Sequence, residues 1–115
     1  MTSILTSIKK LLGITEDYTH FDADIIMHIN SVFMVLHQLG VGPKEGFRIE
    51  DKTSNWNDYL GDTILLESVK TYIYLRVRLL FDSTTLSSTV IESMKQTISE
   101  FEWRLNAAAD STQSS

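Results

Sequence analysis

Apolar residues recur at spacings of three and four in four segments of the chain, which is the period of a helix with one buried face. The second segment shows the period most clearly, at Ile25, Ile29, Val32, Leu36 and Leu39. The pattern predicts helices near residues 4–12, 22–39, 62–82 and 88–105. Helices joined by short connections pack as antiparallel neighbours, so we expect an all-α fold, a four-helix antiparallel bundle-like domain.

The third predicted helix is apolar on more than one face. Its clearest stripe consists of Leu66, Val69, Ile73, Val77 and Leu80. Four further residues lie off that stripe: Tyr72, Tyr74, Leu75 and Leu79. A helix with several apolar faces has several neighbours to bury them against, so this helix is predicted to be central. Its additional contacts lie either inside the domain or across a subunit contact.

Polar and glycine residues mark the predicted helix ends. Gly13 ends the first helix, and Gly40, Gly42 and Pro43 end the second, because Gly accepts a positive φ and Pro cannot continue the helix. Asp22 is a candidate N-cap or first-turn acid of the second helix. The later helices have Asp62 or Thr63, and Ser87 or Ser88, as candidate caps.

Residues 44–61, which read KEGFRIEDKTSNWNDYLG, are too irregular for a helix. Phe47, Ile49, Trp56 and Tyr59 punctuate an otherwise polar stretch. The segment predicts a long loop or a small β-hairpin, with a turn at 52–55 and arms at 46–50 and 55–59. Loops of this length in compact domains are usually either functional or disordered, and the aromatic residues argue against disorder.

The length of 115 residues suits one hydrophobic core. We therefore expect a single helical domain at residues 1–106. The ending from residue 107 to 115 loses its apolar period and becomes small and polar, which predicts a flexible C-terminal tail.

The composition argues against several functional classes. A net charge of −5 disfavours general binding of nucleic-acid phosphates. The absence of Cys excludes thiolate catalysis and Cys-based zinc sites and fits a reducing cytoplasm. The first segment carries Lys9 and Lys10 between apolar residues, which is too little for membrane anchoring, so it is expected to dock on protein.

Candidate catalytic and metal-binding groups are sparse. His20, Asp24 and His28 follow at four-residue spacings and would share a helix face, but His20 is expected to precede the helix. His37 is better explained as a favourable charge at a helix C-terminus. The five glycines fall at element ends or in the loop, so no phosphate-binding loop is present. We predict no enzyme activity, no cofactor and no metal site.

Arg76 and Arg78, with Tyr72 and Tyr74, form a possible nucleic-acid strip on the third helix. The same residue types are enriched at protein interfaces, where Arg pairs with acids such as Glu100 or Glu102. The overall acidity of the chain favours the protein interface.

Two segments, VKTYIYLRVRLLFDS and IESMKQTISEFEWRLN, resemble the head–tail connector (adaptor) proteins of tailed bacteriophages. Members of that family tend to have a helix ending in Leu-Leu-Phe-Asp-Pro and a last helix ending in Glu-aromatic-Arg-Leu. This chain matches at residues 79–82 and again at residues 100–105, and it has Ser83 where proline is usual. The order of a short helix, a long helix, an extended loop and two further helices is similar as well.

The resemblance implies a structural subunit of the virion at the head–tail interface, made in the bacterial host cytoplasm. It implies a ring of about twelve copies docked beneath the phage portal protein, joined below by a head-completion or tail protein. Double-stranded DNA would pass through the ring without sequence-specific binding, and no membrane would be involved. The alternative is a small helical regulatory module that binds DNA or protein through the second or third helix.

For the connector we predict a subunit interface at the loop and the third helix, with Trp56 and Tyr59 as anchors. The predicted interface residues are Phe47, Arg48, Trp56, Tyr59, Tyr72, Tyr74, Arg76 and Arg78. The alternative for Trp56 is that it folds back on its own core. A docking segment for the portal or tail protein is predicted at Ala109, Asp110, Ser111, Thr112 and Gln113.

Overall fold

The computed structural model describes residues 3–61, 63–82 and 84–113, without the side chains of residue 63 and of residues 110–113. Within these residues the secondary structure is helical, with no strand, which confirms the all-α prediction. The five helices are α1 (Ile4–Leu11), α2 (Asp22–Gln38), α3 (Trp56–Tyr59), α4 (Thr63–Phe81) and α5 (Ser88–Gln113). The four predicted helices are therefore present, and a short fifth one lies in the loop.

Helix α4 lies between α2 and α5 and packs against both, while α1 packs on α2. The start of α4 lies beside the end of α5, since Ile64 and Ala108 line one groove, so these two helices are antiparallel. The core contains residues from all five helices, among them Ile4, Ile8, Ile25, Phe33, Leu36, Trp56, Val69, Ile73, Val77, Ile98 and Leu105. Leu80, predicted to complete the buried stripe of α4, is instead 47% exposed, while its neighbours Leu79 and Phe81 pack against the core.

The helix ends follow the predicted capping residues closely. Asp22 is a first-turn acid and not the N-cap, which is Phe21. The Ser87 Oγ accepts a hydrogen bond from the Val90 N–H at 3.2 Å, so Ser87 caps α5. Asp62, the other candidate cap of α4, lies outside the described residues.

The predicted hairpin is not formed, and its second arm is the single turn of α3. The Asp58 carboxylate accepts the Asn55 N–H at 2.8 Å, so Asn-x-x-Asp starts a helical turn where an extended arm was expected. Asn55 instead forms an isolated antiparallel bridge with Ser3, and the Ile4 N–H donates to the Ser54 carbonyl at 3.0 Å. The loop is therefore tied to the first residues of α1.

Helix α5 continues beyond the predicted domain boundary at residue 106 and reaches Gln113. Alanine has the highest helix propensity, and the Ala109 side chain is buried, so the loss of apolar period does not end the helix. The mobility of residues 107–115 stays a prediction, and residues 114 and 115 lie outside the description.

Lys9 is a core residue and not part of a basic surface on α1. Its side chain is only 2% exposed, and its ammonium donates to the backbone carbonyls of Glu16 at 3.0 Å and Tyr18 at 2.7 Å. The Lys9 Nζ also lies 2.8 Å from the Asp22 Oδ1, in a contact that has ion-pair distance without hydrogen-bond alignment. Lys9 thus fastens the connection between α1 and α2.

None of the helices in the described part of the chain has the length and apolarity to cross a membrane.

Candidate assembly surfaces

The loop after α2 is held against that helix by Asn30. Its side-chain amide donates to the Ile49 carbonyl at 2.9 Å, and its side-chain oxygen accepts the Ile49 N–H at 2.8 Å. Both backbone groups of a buried residue are thereby satisfied by one side chain. This two-point contact fixes the distance of the loop from α2.

Three aromatic rings pack together beneath the same loop. The centroid distances are 5.1 Å between Phe33 and Phe47, 4.7 Å between Phe33 and Tyr59, and 5.2 Å between Phe47 and Tyr59. Such tilted and edge-on arrangements are the favourable ones for aromatic rings. Burial raises the pKa of the Tyr59 phenol well above its usual range, so Tyr59 stays protonated as a core residue.

Gly42 allows Tyr59 to reach this cluster. Its φ is +92°, and a Cβ at this position would lie 2.5 Å from the Tyr59 Cε1. The turn after α2 therefore requires glycine both for its backbone conformation and for the space that the Tyr59 ring occupies.

A groove of about 510 Å³ opens between α2 and the loop. Its lining includes Phe33, Met34, His37, Glu45, Phe47 and Arg48, and we call it the α2 groove. The His37 Nε2 lies 2.9 Å from the Lys44 carbonyl oxygen, so a ring protonated at Nε2 donates to it and fastens the rim. Asn30 and His37 thus join α2 to the loop on the side of the groove.

The predicted interface residues of the loop divide into two that are at least partly exposed and two that are buried. Arg48 is exposed and Phe47 is half-buried, and both line the α2 groove. Trp56 and Tyr59 are core residues of this chain, with 2% and 4% of their surfaces exposed. Their rings fill the space beneath the loop. Trp56 is therefore buried in the core of its own chain, which was the alternative prediction for this residue.

Tyr72 and Arg76 join α4 to α5 through Glu102. The Glu102 carboxylate accepts hydrogen bonds from the Tyr72 hydroxyl and from the Arg76 guanidinium, each at 2.7 Å. Burial, and secondarily the bond to Glu102, raises the pKa of the Tyr72 phenol above its usual range. Tyr72 is fully buried and belongs to this intramolecular contact, while its role in a subunit interface stays a prediction.

Arg78 and Tyr74 form a second pair on α4, nearer to the surface. The Arg78 Nη1 donates to the Tyr74 hydroxyl at 2.6 Å, and the Arg78 Nε lies 4.0 Å from Asp82. Both side chains are partly exposed. Their role in a subunit interface stays a prediction.

The outer face of α5 carries the second tryptophan of the chain. Trp103 is 74% exposed, whereas the neighbouring Leu105 is 1% exposed and faces the core. Glu100 and Arg104 flank the indole, and all three line one shallow depression. An indole so exposed on a regular helix is typical of a binding surface.

The predicted docking segment lies in the last turns of α5. Ala109 is buried against the core, and the backbone at 110–113 is helical. The side chains of Asp110, Ser111, Thr112 and Gln113 lie outside the description, so docking there stays a prediction.

The histidine set does not share a helix face. His20 precedes α2 and packs on Phe21 at a centroid distance of 4.7 Å, while Asp24 and His28 lie within the helix. In the part of the chain that the structure describes, no three His, Asp or Glu residues are grouped to hold a metal ion.

Sequence reasoning missed three important residues. Asn30 and Lys9 each stand at a position where the helical period expects an apolar residue. This interruption of the stripe could have indicated that both polar side chains face the interior. Trp103 falls between Phe101 and Leu105 of the α5 stripe, and its position there places it on the opposite, outer face. The distant partners of Asn30 could not be found without the fold.

Comparison with known proteins identifies the family. The family model described as "Phage connector protein" matches residues 4–112, which include all five helices apart from the last residue of α5. No curated protein and no solved structure gives a significant match. The match confirms the resemblance carried by residues 79–82 and 100–105. The chain therefore belongs to the phage connector protein family, whose members are structural components of the virion.

Proposed function

We propose that this chain is the repeating subunit of a head–tail connector ring, which docks beneath the portal protein and joins the capsid to the tail. About twelve copies form the ring, a head-completion or tail protein binds below it, and DNA passes through its central channel. The observation that carries the proposal is the family match over residues 4–112. The subunit is made in the host cytoplasm and acts in the virion.

The fixed shape of the subunit supports a structural role. The Asn30 contact, the aromatic cluster and the Tyr72–Glu102–Arg76 contact each join segments that are distant in the sequence. Surfaces that are ordered before assembly lose less conformational entropy when they bind. The free energy of association is then more favourable for the same contacts between copies.

The charge distribution supports passage of DNA without tight binding. The net charge is −5, and the basic residues Lys9 and Arg76 are paired with Asp22 and Glu102 within the subunit. A channel lined by unpaired Lys and Arg would hold phosphates and slow the movement of DNA.

The same pairing disfavours the alternative of a DNA-binding regulator. The basic strip of that hypothesis consists of Arg76 and Arg78, and Arg76 already donates to the Glu102 carboxylate at 2.7 Å. A recognition helix needs side chains that are available to phosphates and base edges.

Electron microscopy of the purified chain, alone and with the portal protein of the same phage, tests the proposal. A closed ring beneath the portal is the expected image. A chain that never binds the portal protein would overturn the proposed connector function. Titration of duplex DNA binding against salt separates the alternative, because tight binding with a steep loss at higher salt belongs to a DNA-binding regulator.

A further inference from the structure

We propose that the Trp103 indole of one subunit docks in the α2 groove of the next copy of this chain, forming the repeated contact of the ring. The inference rests on the proposed function, because it names the surfaces by which connector subunits join. It replaces Trp56, which is buried, with the tryptophan that the fold leaves on the surface.

The groove and the indole match in size and chemistry. The groove has a volume of about 510 Å³, which accommodates a large aromatic side chain. Phe33 and Phe47 give it an aromatic lining, and Met34, 67% exposed, offers a flexible thioether at its wall. The residues that dominate the binding energy of protein interfaces are enriched in tryptophan, and they cluster in well-packed pockets.

The charges around the two features are complementary. Trp103 lies between the acid Glu100 and the base Arg104, and the rim of the groove carries the base Arg48 and the acid Glu45. All four charged side chains are exposed. In one orientation of the docked pair, each acid faces a base, which fixes the register and disfavours the reverse orientation.

The positions of the two features favour a second copy of this chain as the occupant. Trp103 is on α5 and the groove is on α2, and the depression around Trp103 shares no lining residue with the groove. Two different patches on one subunit give a heterologous, head-to-tail contact, which each copy can repeat with the next. Such contacts close into rings when the rotation permits, as a connector ring requires.

The test uses matched variants assembled with the portal protein and followed by native mass spectrometry. Trp103→Ala and Met34→Glu are each expected to weaken the contact between copies by roughly 30-fold or more, the effect of an interface hot spot. Met27→Glu is the control on α2, because Met27 is 60% exposed and does not line the groove. Val90→Ala is the control on α5. Both controls should assemble like the wild type.

Mixing the two defective variants distinguishes the proposed contact from other arrangements. Trp103→Ala keeps an intact groove and Met34→Glu keeps an intact indole, so the mixture can form one native contact but no second one. We expect a one-to-one heterodimer that does not grow into a ring. The double variant with Arg48→Glu and Glu100→Arg reverses both charges of one proposed acid–base contact. It should recover part of the assembly that each single change loses.

The outcomes separate this inference from the proposed function. If the wild type forms the ring and both variants do too, the docking proposal is wrong and the connector function stands. If Met34→Glu loses only the portal while the ring of copies persists, the groove binds the portal and the docking proposal is again wrong. A wild type that forms no assembly with the portal contradicts both. Thermal melting of each variant checks that the fold is retained.

Discussion

The two tryptophans of this chain lie in opposite environments. Trp56, at the start of a single-turn helix, is 2% exposed, and its indole N–H donates to the Ser7 hydroxyl at 3.1 Å. Trp103, on the long regular helix α5, is 74% exposed. An aromatic residue in an irregular loop is thus part of the core, and one in a regular helix is on the surface. The position of the residue on its element, and not the kind of element, decides its role.

Replacement of Trp56 by Ala should have the largest effect on the stability of the subunit. Truncation of a buried Trp removes its apolar contacts and leaves a cavity, so we expect the free energy of unfolding to fall by about 3–5 kcal/mol. Urea denaturation followed by circular dichroism measures the change. A loss below about 1 kcal/mol would show that Trp56 is not a core residue.

Replacement of Asn30 by Ala should destabilise the subunit by about 2 kcal/mol, because the N–H and C=O of Ile49 lose their partner. The same denaturation measures it, with the exposed Asn57→Ala in α3 as the control, expected within about 0.5 kcal/mol of wild type. Amide hydrogen exchange at Ile49 should accelerate in Asn30→Ala. Unchanged exchange there would contradict the two-point contact.

Replacement of Tyr72 by Phe should cost about 1 kcal/mol at neutral pH, since it removes the hydrogen bond to Glu102. The variant should also change the response to alkali. The pKa of Tyr72 is raised in the folded state, so its contribution is fully present below the unfolded pKa near 10 and is lost as the pH rises toward the folded value.

Stability above about pH 10 should therefore fall less steeply in Tyr72→Phe than in the wild type. Tyr59, whose pKa is also raised by burial, accounts for part of the remaining decline. Denaturation curves from pH 8 to 11 measure the difference. Parallel curves for the two proteins would show that Tyr72 ionises as easily in the folded state as in the unfolded one.

Replacement of Trp103 by Ala should have the smallest effect on stability, within about 0.5 kcal/mol, because the side chain is largely in solvent. Fluorescence sharpens the comparison. In separate subunits without the portal protein, the remaining Trp56 of Trp103→Phe should be shielded from acrylamide. In separate subunits of Trp56→Phe, the remaining Trp103 should be quenched readily. Equal quenching of the two indoles would contradict their assigned environments.

The fold was predictable where the apolar period was long. The predicted end of the second helix at Leu39 lies only one residue beyond the observed end of α2. It could be predicted this closely because the apolar stripe is followed at once by glycine and proline. Helix α3 was not predictable from period, since a single turn contains too few residues to show one. The C-terminal turns of α5 were missed because alanine extends a helix without adding to a stripe.

The candidate surfaces were less predictable than the helices. Phe47 and Arg48 were predicted correctly to lie in the loop, but their proximity to Met34 and His37 depends on the Asn30 contact across the fold. The burial of Trp56 in its own core could not be inferred from the sequence, because a loop residue has no period from which burial can be read. Trp103 had such a period, and its place off the apolar stripe of α5 was the usable signal.

The native mass of Trp103→Ala beside that of the wild type, each with the portal protein, tests the central claim most directly. The account predicts a closed ring of copies for the wild type. It predicts separate, fully folded subunits for Trp103→Ala, whose free energy of unfolding lies within about 0.5 kcal/mol of that of a separate wild-type subunit. A variant that forms the same ring as the wild type would contradict the assignment of Trp103 to the contact between subunits.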